Sequence, residues 1–379
     1  MNKEALYKAD GRRLIFYHFA EEAAENLAGT QRSDDAPSAY ASSELRWDPT
    51  LREWVTYAPQ RQKRTFLPPV DWCPLCPTRE GGFPTEVPRS HYELVVLENR
   101  FPSYTLHAPE PAEPGNRLTP TRAGRGICEV VLYSDDHWAT LAQMDEAHIE
   151  QLIAVWTDRY QELGVQPEIQ YVLLFENKGE AVGVTLHHPH GQIYGYPFIP
   201  PRPARELEAA SAYAVAHDGA CLHCDVLAQE QADARRILIQ GSHVTAFVPF
   251  FAHYPYEVHL YTRRCVPSLA EFTSAERTDL ARVLKRVLMG YDALWGFSLP
   301  YLMGIHQAPT DGRAYGGLAH FHIEFYPPHR TRNKLNYLAG SESLAGAFMM
   351  DALPEVTAAR LRRAIESPPG HDAGDNEQD

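Results

Sequence analysis

The sequence has no run of about 18 apolar residues, which excludes a membrane-spanning helix. Its first residues, Met1-Asn2-Lys3-Glu4-Ala5-Leu6, lack the apolar stretch of a signal peptide, so a cytoplasmic location is expected. It also lacks positive charge: 35 Lys and Arg face 49 Asp and Glu, for a net charge of −14. That balance argues against general nucleic-acid binding, and no nucleic-acid or membrane partner is expected; a local basic pocket for phosphates stays open. With 44% hydrophobic and 22% charged residues over 379 positions, the chain reads as a soluble globular protein of two domains or one large one. The 18 His are clustered rather than scattered.

Cysteine is sparse but patterned. Four of the six Cys form two C-x-x-C pairs, Cys73-Pro74-Leu75-Cys76 and Cys221-Leu222-His223-Cys224. In a reducing compartment such pairs are metal ligands or redox sites more often than disulfides. A redox pair belongs at a strand end that opens a helix. Cys73 instead follows Pro68-Pro69-Val70-Asp71-Trp72 and precedes Pro77, a loop context that favours a zinc knuckle. Cys128, in an apolar strand, is expected to be a core thiol.

The two halves of the chain resemble each other. The first carries Cys73-x-x-Cys76, a strand Glu93–Leu97, a strand Gly126–Tyr133, then His137 ahead of Thr140-Leu141-Ala142. A helix with Ile149, Leu152, Ile153, Trp156 and Tyr160 at helical spacing follows, then strand Gln170–Phe175 and His188-Pro189-His190-Gly191-Gln192-Ile193-Tyr194. The second carries Cys221-x-x-Cys224, Ala246–Phe250, strand Glu257–Tyr261, then Cys265 ahead of Ser268-Leu269-Ala270. Its helix opens on Thr273-Ser274-Ala275-Glu276, a capping-box pattern, and is followed by Pro300–Gly304 and His320-Phe321-His322-Ile323-Glu324-Phe325-Tyr326. Strands with hairpin-like turns and a single long helix per half predict an α+β fold of two tandem repeats, mostly antiparallel sheet with packed helices. The expected organisation is an N-terminal extension over 1–40 with a hairpin near Gly11, a catalytic repeat over 41–203, a second repeat over 204–345, and a C-terminal helix with a disordered tail over 346–379.

In His188-Pro189-His190-Gly191-Gln192, two imidazoles at i and i+2 of a strand point to one face. A metal could take both, or one could be a ligand and the other a nucleophile. Pro189 and Gly191 restrict and release the backbone around His190. A neutral imidazole attacks phosphorus if its other nitrogen gives its proton to a fixed acceptor such as a backbone carbonyl. Gln192 can donate to a phosphate oxygen without competing as a nucleophile. Upstream, in Phe175-Glu176-Asn177-Lys178-Gly179-Glu180-Ala181-Val182-Gly183-Val184-Thr185, Gly179 and Gly183 allow close approach of a phosphate, and Asn177 and Thr185 offer donors.

These segments, with RWDP, EWV, APQRQKRT, CPLC, ENRFP, GIHQAP and HFHIEFYPP, resemble the galactose-1-phosphate uridylyltransferase family of the histidine-triad superfamily over about residues 44–345. The resemblance implies a two-repeat fold and a ping-pong transfer of UMP from UDP-glucose to galactose 1-phosphate through a uridylyl-histidine, giving UDP-galactose and glucose 1-phosphate. Carried over by position, His190 is the nucleophile and Gln192 the donor to the phosphoryl group. Asn177, Gly183 and Thr185 line the phosphate site, with Thr185 where the family often has Ser. Arg61 and Arg64 match phosphate-binding arginines, whose guanidinium forks suit phosphate oxygens. Asn99 and Phe101 match the nucleoside segment, with Arg100 where some members have Asp. Lys334 and Glu342 match hexose contacts. A homodimer is implied, because the family builds its active site across subunits.

The resemblance also implies a zinc site of Cys73, Cys76, His137 and His188, two thiolates and two imidazoles that suit tetrahedral zinc. It implies a second, structural metal, zinc or iron, at Glu206, His306 and His322, with Glu324 where some members have His. The repeat adds a hypothesis of its own: Cys221, Cys224, Cys265 and His320 hold the places of Cys73, Cys76, His137 and His188 and could bind a further zinc, or be free thiols. Two other functions stay open here. One is a nucleotide or nucleotide-sugar phosphorylase of the same superfamily, because Ser341 and Phe348 depart from the family pattern. The other is a non-catalytic, zinc-stabilised nucleotide-binding module, which has no need of both His190 and Gln192.

Overall fold

The computed structural model describes residues 1–20, 43–64 and 66–366. The tail expected to be disordered, from residue 367 on, lies outside them, as does most of the segment between the first hairpin and residue 43. The strands in chain order are β1 (Asn2–Tyr7), β2 (Arg13–His18), β3 (Glu44–Asp48), β4 (Glu53–Tyr57), β5 (Leu94–Glu98), β6 (Thr121–Ala123), β7 (Ile127–Leu132), β8 (Tyr171–Lys178), β9 (His190–Tyr196), β10 (Ile237–Gln240), β11 (Val244–Phe247), β12 (Val258–Thr262), β13 (Tyr301–His306), β14 (His322–Tyr326), β15 (His329–Thr331) and β16 (Lys334–Leu335). The helices are α1 (Glu146–Gly164), α2 (Pro201–Ala216), α3 (Leu222–Asp233), α4 (Ser274–Trp295) and α5 (Pro354–Glu366).

Eleven strands form one sheet in the order β1-β2-β5-β7-β9-β8-β13-β14-β12-β11-β10. Every neighbouring pair is antiparallel, including β8 with β13 at the seam between halves. Outward from that seam the strands run β9, β7, β5, β2 on one side and β14, β12, β11, β10 on the other. Apart from the edge strand β1 and the small-sheet strands β3, β4, β6, β15 and β16, each half also follows the same chain order, three strands, a long helix, then two strands. The repeat in the sequence is therefore a repeat in space, with a pseudo-two-fold axis through the seam. Residues 2–18, from the segment expected to extend the N-terminus, form the edge hairpin of this sheet, with Leu14, Ile15, Phe16 and Tyr17 buried. A smaller sheet, β4-β3-β6, flanks the first half.

Strand periodicity separates structure from chemistry. Ile193 of β9 and Ile323 and Phe325 of β14 point into the core shared with Leu152, Trp156, Leu284 and Tyr291 of α1 and α4. Their alternate neighbours, His190 and Gln192, and His322 and Glu324, must then point to the opposite face. The expected capping box at Thr273 and Glu276 is present and opens α4, and Asp145 caps α1 by accepting from the His148 N–H. The expectation of one long helix per half is corrected: α2 and α3 follow β9 directly. Their start, Pro200-Pro201-Arg202-Pro203, imitates a loop, yet Pro is well placed in a first helical turn, where its missing N–H is not needed. Only Pro203 and Ala210 of α2 are buried, so its apolar stripe is too thin to show as periodicity.

One buried ion pair fastens α1 to the sheet. Arg159 donates from Nε and Nη2 to Glu129 of β7 at 2.9 and 2.7 Å, with both side chains almost fully buried. Leaving one member of such a pair alone costs about 3–5 kcal/mol. Glu129→Gln should lower the unfolding free energy read from urea titration by up to that amount, since Arg159 Nη1 keeps Glu162 at 2.8 Å, and Glu129→Leu combined with Arg159→Met should recover most of it. An unchanged midpoint for Glu129→Gln would remove the pair from the account of stability.

Candidate active site and metal-ligand clusters

A pocket opens on the face of the first half opposite α1. It brings together His190, Gln192, Arg61, Arg64, Asn99, Phe101, Asn177, Gly183 and Thr185 from segments far apart in sequence. Arg100 of the expected nucleoside segment also lines it, and so do two charged residues that sequence reasoning did not place there, Arg12 and Glu86. Arg12 stands beside the hairpin turn, and nothing in the sequence tied it to the histidine strand. The burial of Glu86 is offset by Arg12 and Lys8, which hold its carboxyl below the usual range. The pKa of Arg64 is shifted downward by burial and by the neighbouring Arg61, so two guanidinium groups crowd one wall. Such a wall fits a polyanion such as a diphosphate.

His190 opens β9, and its Nδ1–H donates to the His188 carbonyl at 2.6 Å. A carbonyl only accepts, so the proton sits on Nδ1 and Nε2 carries a bare lone pair. Burial pushes the imidazole pKa down, which keeps it neutral. Two residues on, Tyr194 donates its hydroxyl to Gln192 Oε1 at 3.3 Å, leaving the Gln192 amide N–H groups to be donors. Arg61 is held by the Phe101 carbonyl and the Tyr194 hydroxyl at 3.1 and 3.2 Å, so its guanidinium is positioned before any ligand arrives.

The glycines serve other ends than expected. A Cβ on Gly191 would collide with the Tyr133 hydroxyl, so this glycine makes room for a buried aromatic rather than freeing the backbone of His190. Gly179 packs on Pro300, whose Cβ would lie 2.8 Å from an added Cβ, and it does not line the pocket. Gly183 does line it, in a left-handed conformation with φ of 79° that favours glycine. Lys334 in β16 and Glu342 in the turn after it do not reach this pocket; Glu342 accepts instead from the Ala339 N–H at 3.1 Å.

Three clusters of metal-ligand side chains stand on the same face, each with donor atoms within 4.8 Å of one another. Cys73, Cys76, His137 and His188 form the first. Cys76 Sγ lies 3.3 Å from His137 Nδ1 and 3.5 Å from His188 Nδ1. Zinc bonds of about 2.3 Å to sulfur and about 2.0 Å to nitrogen put such atoms roughly 3.5 Å apart at a tetrahedral centre. His188 Nε2–H is shared by the Ser134 carbonyl at 2.8 Å and the Tyr92 hydroxyl oxygen at 2.7 Å, and Tyr92 donates onward to the Leu75 carbonyl. This outer shell turns Nδ1 toward the thiols. Glu206 of α2 with His306, His322 and Glu324 forms a second cluster, in which His306 Nδ1 lies 2.9 Å from Glu206 and its Nε2 3.5 Å from Glu324. Burial works against the charge on Glu206, but His306 holds its carboxyl well below the usual carboxylate range. The third is Cys221, Cys224, Cys265 and His320. Among the described residues no helix is long and apolar enough to cross a membrane.

Comparison with known proteins bears on the whole chain. Sequence models of the N-terminal and C-terminal domains of galactose-1-phosphate uridyl transferase match residues 32–200 and 206–372. The galactose-1-phosphate uridylyltransferase of Thermotoga maritima is 39% identical over 84% of this chain and 98% of its own length. That of Streptomyces lividans is 34% identical over 97% of this chain and 99% of its own. A solved uridylyltransferase structure superposes with a TM-score of 0.76 at 35% identity, over 85% of this chain and 98% of that one. By its sequence and its fold, the chain belongs to the galactose-1-phosphate uridylyltransferase family and is a nucleotidyltransferase.

Proposed function

We propose that the protein transfers UMP from UDP-glucose to galactose 1-phosphate through a covalent intermediate on His190. The observation that carries this reading is the hydrogen bond of 2.6 Å from Nδ1–H to the His188 carbonyl, which leaves Nε2 as the nucleophile. Nε2 attacks the α-phosphorus of UDP-glucose. An N–P bond forms, the bond to the β-phosphate oxygen breaks, and glucose 1-phosphate leaves with the electron pair. A phosphate oxygen of galactose 1-phosphate then attacks the same phosphorus, the N–P bond breaks, and UDP-galactose leaves. The proton stays on Nδ1 and is donated to the His188 carbonyl throughout, which supports the cationic uridylyl-imidazole. Arg61, Arg64, Asn177, Gly183 and Thr185 hold the phosphates, and Asn99 and Phe101 the nucleoside. Intact-mass analysis after adding UDP-glucose alone should show one uridylyl group on a His190 peptide. A donor consumed only when both substrates are present would refute the intermediate.

Gln192 is the donor to the transferred phosphoryl oxygen. Loss of one preorganised donor of this kind costs about 10²–10³ in kcat. Gln192→Ala should show that loss with KM for UDP-glucose changed far less, in a steady-state assay; an equal loss in KM alone would make Gln192 a ground-state contact.

Zinc at Cys73, Cys76, His137 and His188 fits the donor set, and its part is structural: it fixes the segment leading into His190. A second ion, zinc or iron, at Glu206, His306, His322 and Glu324 has the same structural part. Lys334 and Glu342, away from the pocket of their own chain, are assigned to the hexose across a homodimer interface. Sedimentation should give a dimer, and mixed dimers of His190→Ala with Glu342→Ala chains should regain activity that neither homodimer has. A monomer active by itself would end that assignment.

A further inference from the structure

We infer that Cys221, Cys224, Cys265 and His320 bind a zinc ion of their own, the pseudo-two-fold counterpart of the cluster at Cys73. The inference rests on geometry and on the internal repeat, so it is independent of the reaction assigned to His190.

The donors are already gathered as a tetrahedral centre requires. His320 Nδ1 lies 3.6 Å from Cys221 Sγ and 3.5 Å from Cys224 Sγ, matching the 3.5 Å between His188 Nδ1 and Cys76 Sγ. Cys265 joins them with all donor atoms within 4.8 Å. The three cysteines are unbridged and half-buried.

The tautomer of His320 is the independent observation. Its Nε2–H is spent on the Thr262 carbonyl and the Thr262 Oγ1, both at 2.9 Å. Nδ1 is therefore a bare lone pair on a side chain only 2% exposed, aimed at sulfur atoms. His188 makes the same choice, with its Nε2–H on the Ser134 carbonyl just beyond β7, the strand equivalent to β12, of which Thr262 is the last residue. A polar outer shell that fixes a ring this way is what metal-ligating histidines need. The connection after β12 agrees: Cys265 precedes the buried Leu269 as His137 precedes the buried Leu141, by four residues each.

The counterpart differs in one respect. Cys265 replaces an imidazole with a thiol, so the bound form carries three thiolates instead of two. It ties the start of α3 to the connection after β12 and to the segment leading into β14. Two residues beyond His320 stands His322, whose Nδ1–H donates to the His320 carbonyl at 2.8 Å, as His190 does to His188. The zinc would thereby steady His322 in the carboxylate and histidine cluster.

The test uses the full chain, purified without added metal. Elemental analysis should find one zinc equivalent fewer in the Cys221→Ser, Cys224→Ser double variant than in the unmodified protein; an equal zinc content would overturn the site. Should that variant fail to fold, alkylation of the unmodified protein, mapped by mass spectrometry, decides. Cys221, Cys224 and Cys265 should resist the reagent until a strong chelator is added. Labelling of all three without the chelator, or a disulfide among them, would overturn the site. Cys265→His, which recreates the donor set of the first cluster, should keep the full zinc content and, with cobalt substituted for zinc, lose thiolate-to-metal charge-transfer intensity. A variant whose cobalt spectrum is unchanged would remove Cys265 from the ligand set.

Discussion

His190→Ala should leave the protein folded, form no uridylyl adduct with UDP-glucose, and exchange UMP at least about 10⁴-fold more slowly. Removing a nucleophile takes away the whole covalent route, and losses of that size or more are usual when a group acting as part of a catalytic unit is deleted. Binding should survive. The guanidinium of Arg61 is held by the Phe101 carbonyl and Tyr194, neither of which depends on the imidazole. Calorimetry with UDP-glucose should therefore give a dissociation constant within a few-fold of the unmodified protein. Retained turnover in this variant would move the nucleophile elsewhere. The neutral state of His190 has a plain cause in its burial, and the strand supplies its tautomer through one carbonyl two residues back.

Much of this site was legible in the sequence because it depends on strand parity. His188 and His190 alternate with residues whose burial decides which face they take, and the same parity sets His320 and His322 on that face in the second half. C-x-x-C spacing pointed to a metal knuckle at Cys73, the family resemblance supplied its histidines, and the recurrence of landmarks in order led to the cluster at Cys221. Less legible were contributions that rest on packing between distant segments. Glu86 and Arg12 reach the pocket from a loop and from the edge hairpin, and neither carries a local pattern. Tyr92 and the Ser134 carbonyl orient His188, yet a backbone carbonyl has no sequence signature. The glycines were misread for the same reason: Gly179 and Gly191 are demanded by Pro300 and Tyr133, partners that only the folded sheet brings near. The helix α2 was hidden by a proline-rich start and a thin apolar stripe, and α3 by a buried face of His223, Leu227 and Glu230 with a single apolar member.

Stripping the proposed zinc from the first cluster should weaken both the fold and the catalyst, and by separable amounts. His188 is fully buried between Cys76, His137, Tyr92 and the Ser134 carbonyl, so it is shared by the cluster and the segment that ends at His190. An ion present at a thousand times its dissociation constant contributes about 4 kcal/mol to stability. For a chain of this size that corresponds to roughly 5–10 °C in Tm, read by calorimetry of Cys73→Ser, Cys76→Ser protein against the parent. The kinetic effect should fall on kcat. A shift of about 1 Å at a reacting atom is enough for a loss of about 100-fold, while the phosphate contacts from Arg61, Asn177 and Thr185 sit on other segments and should keep KM for UDP-glucose near its original value. His188→Ala should reproduce both effects, because it removes the ligand and the anchor together. If chelation lowered Tm but left kcat untouched, the metal would be a staple of the fold with no hold on the nucleophile. That result would separate the geometry of His190 from the cluster beside it and leave its single carbonyl as the orienting group.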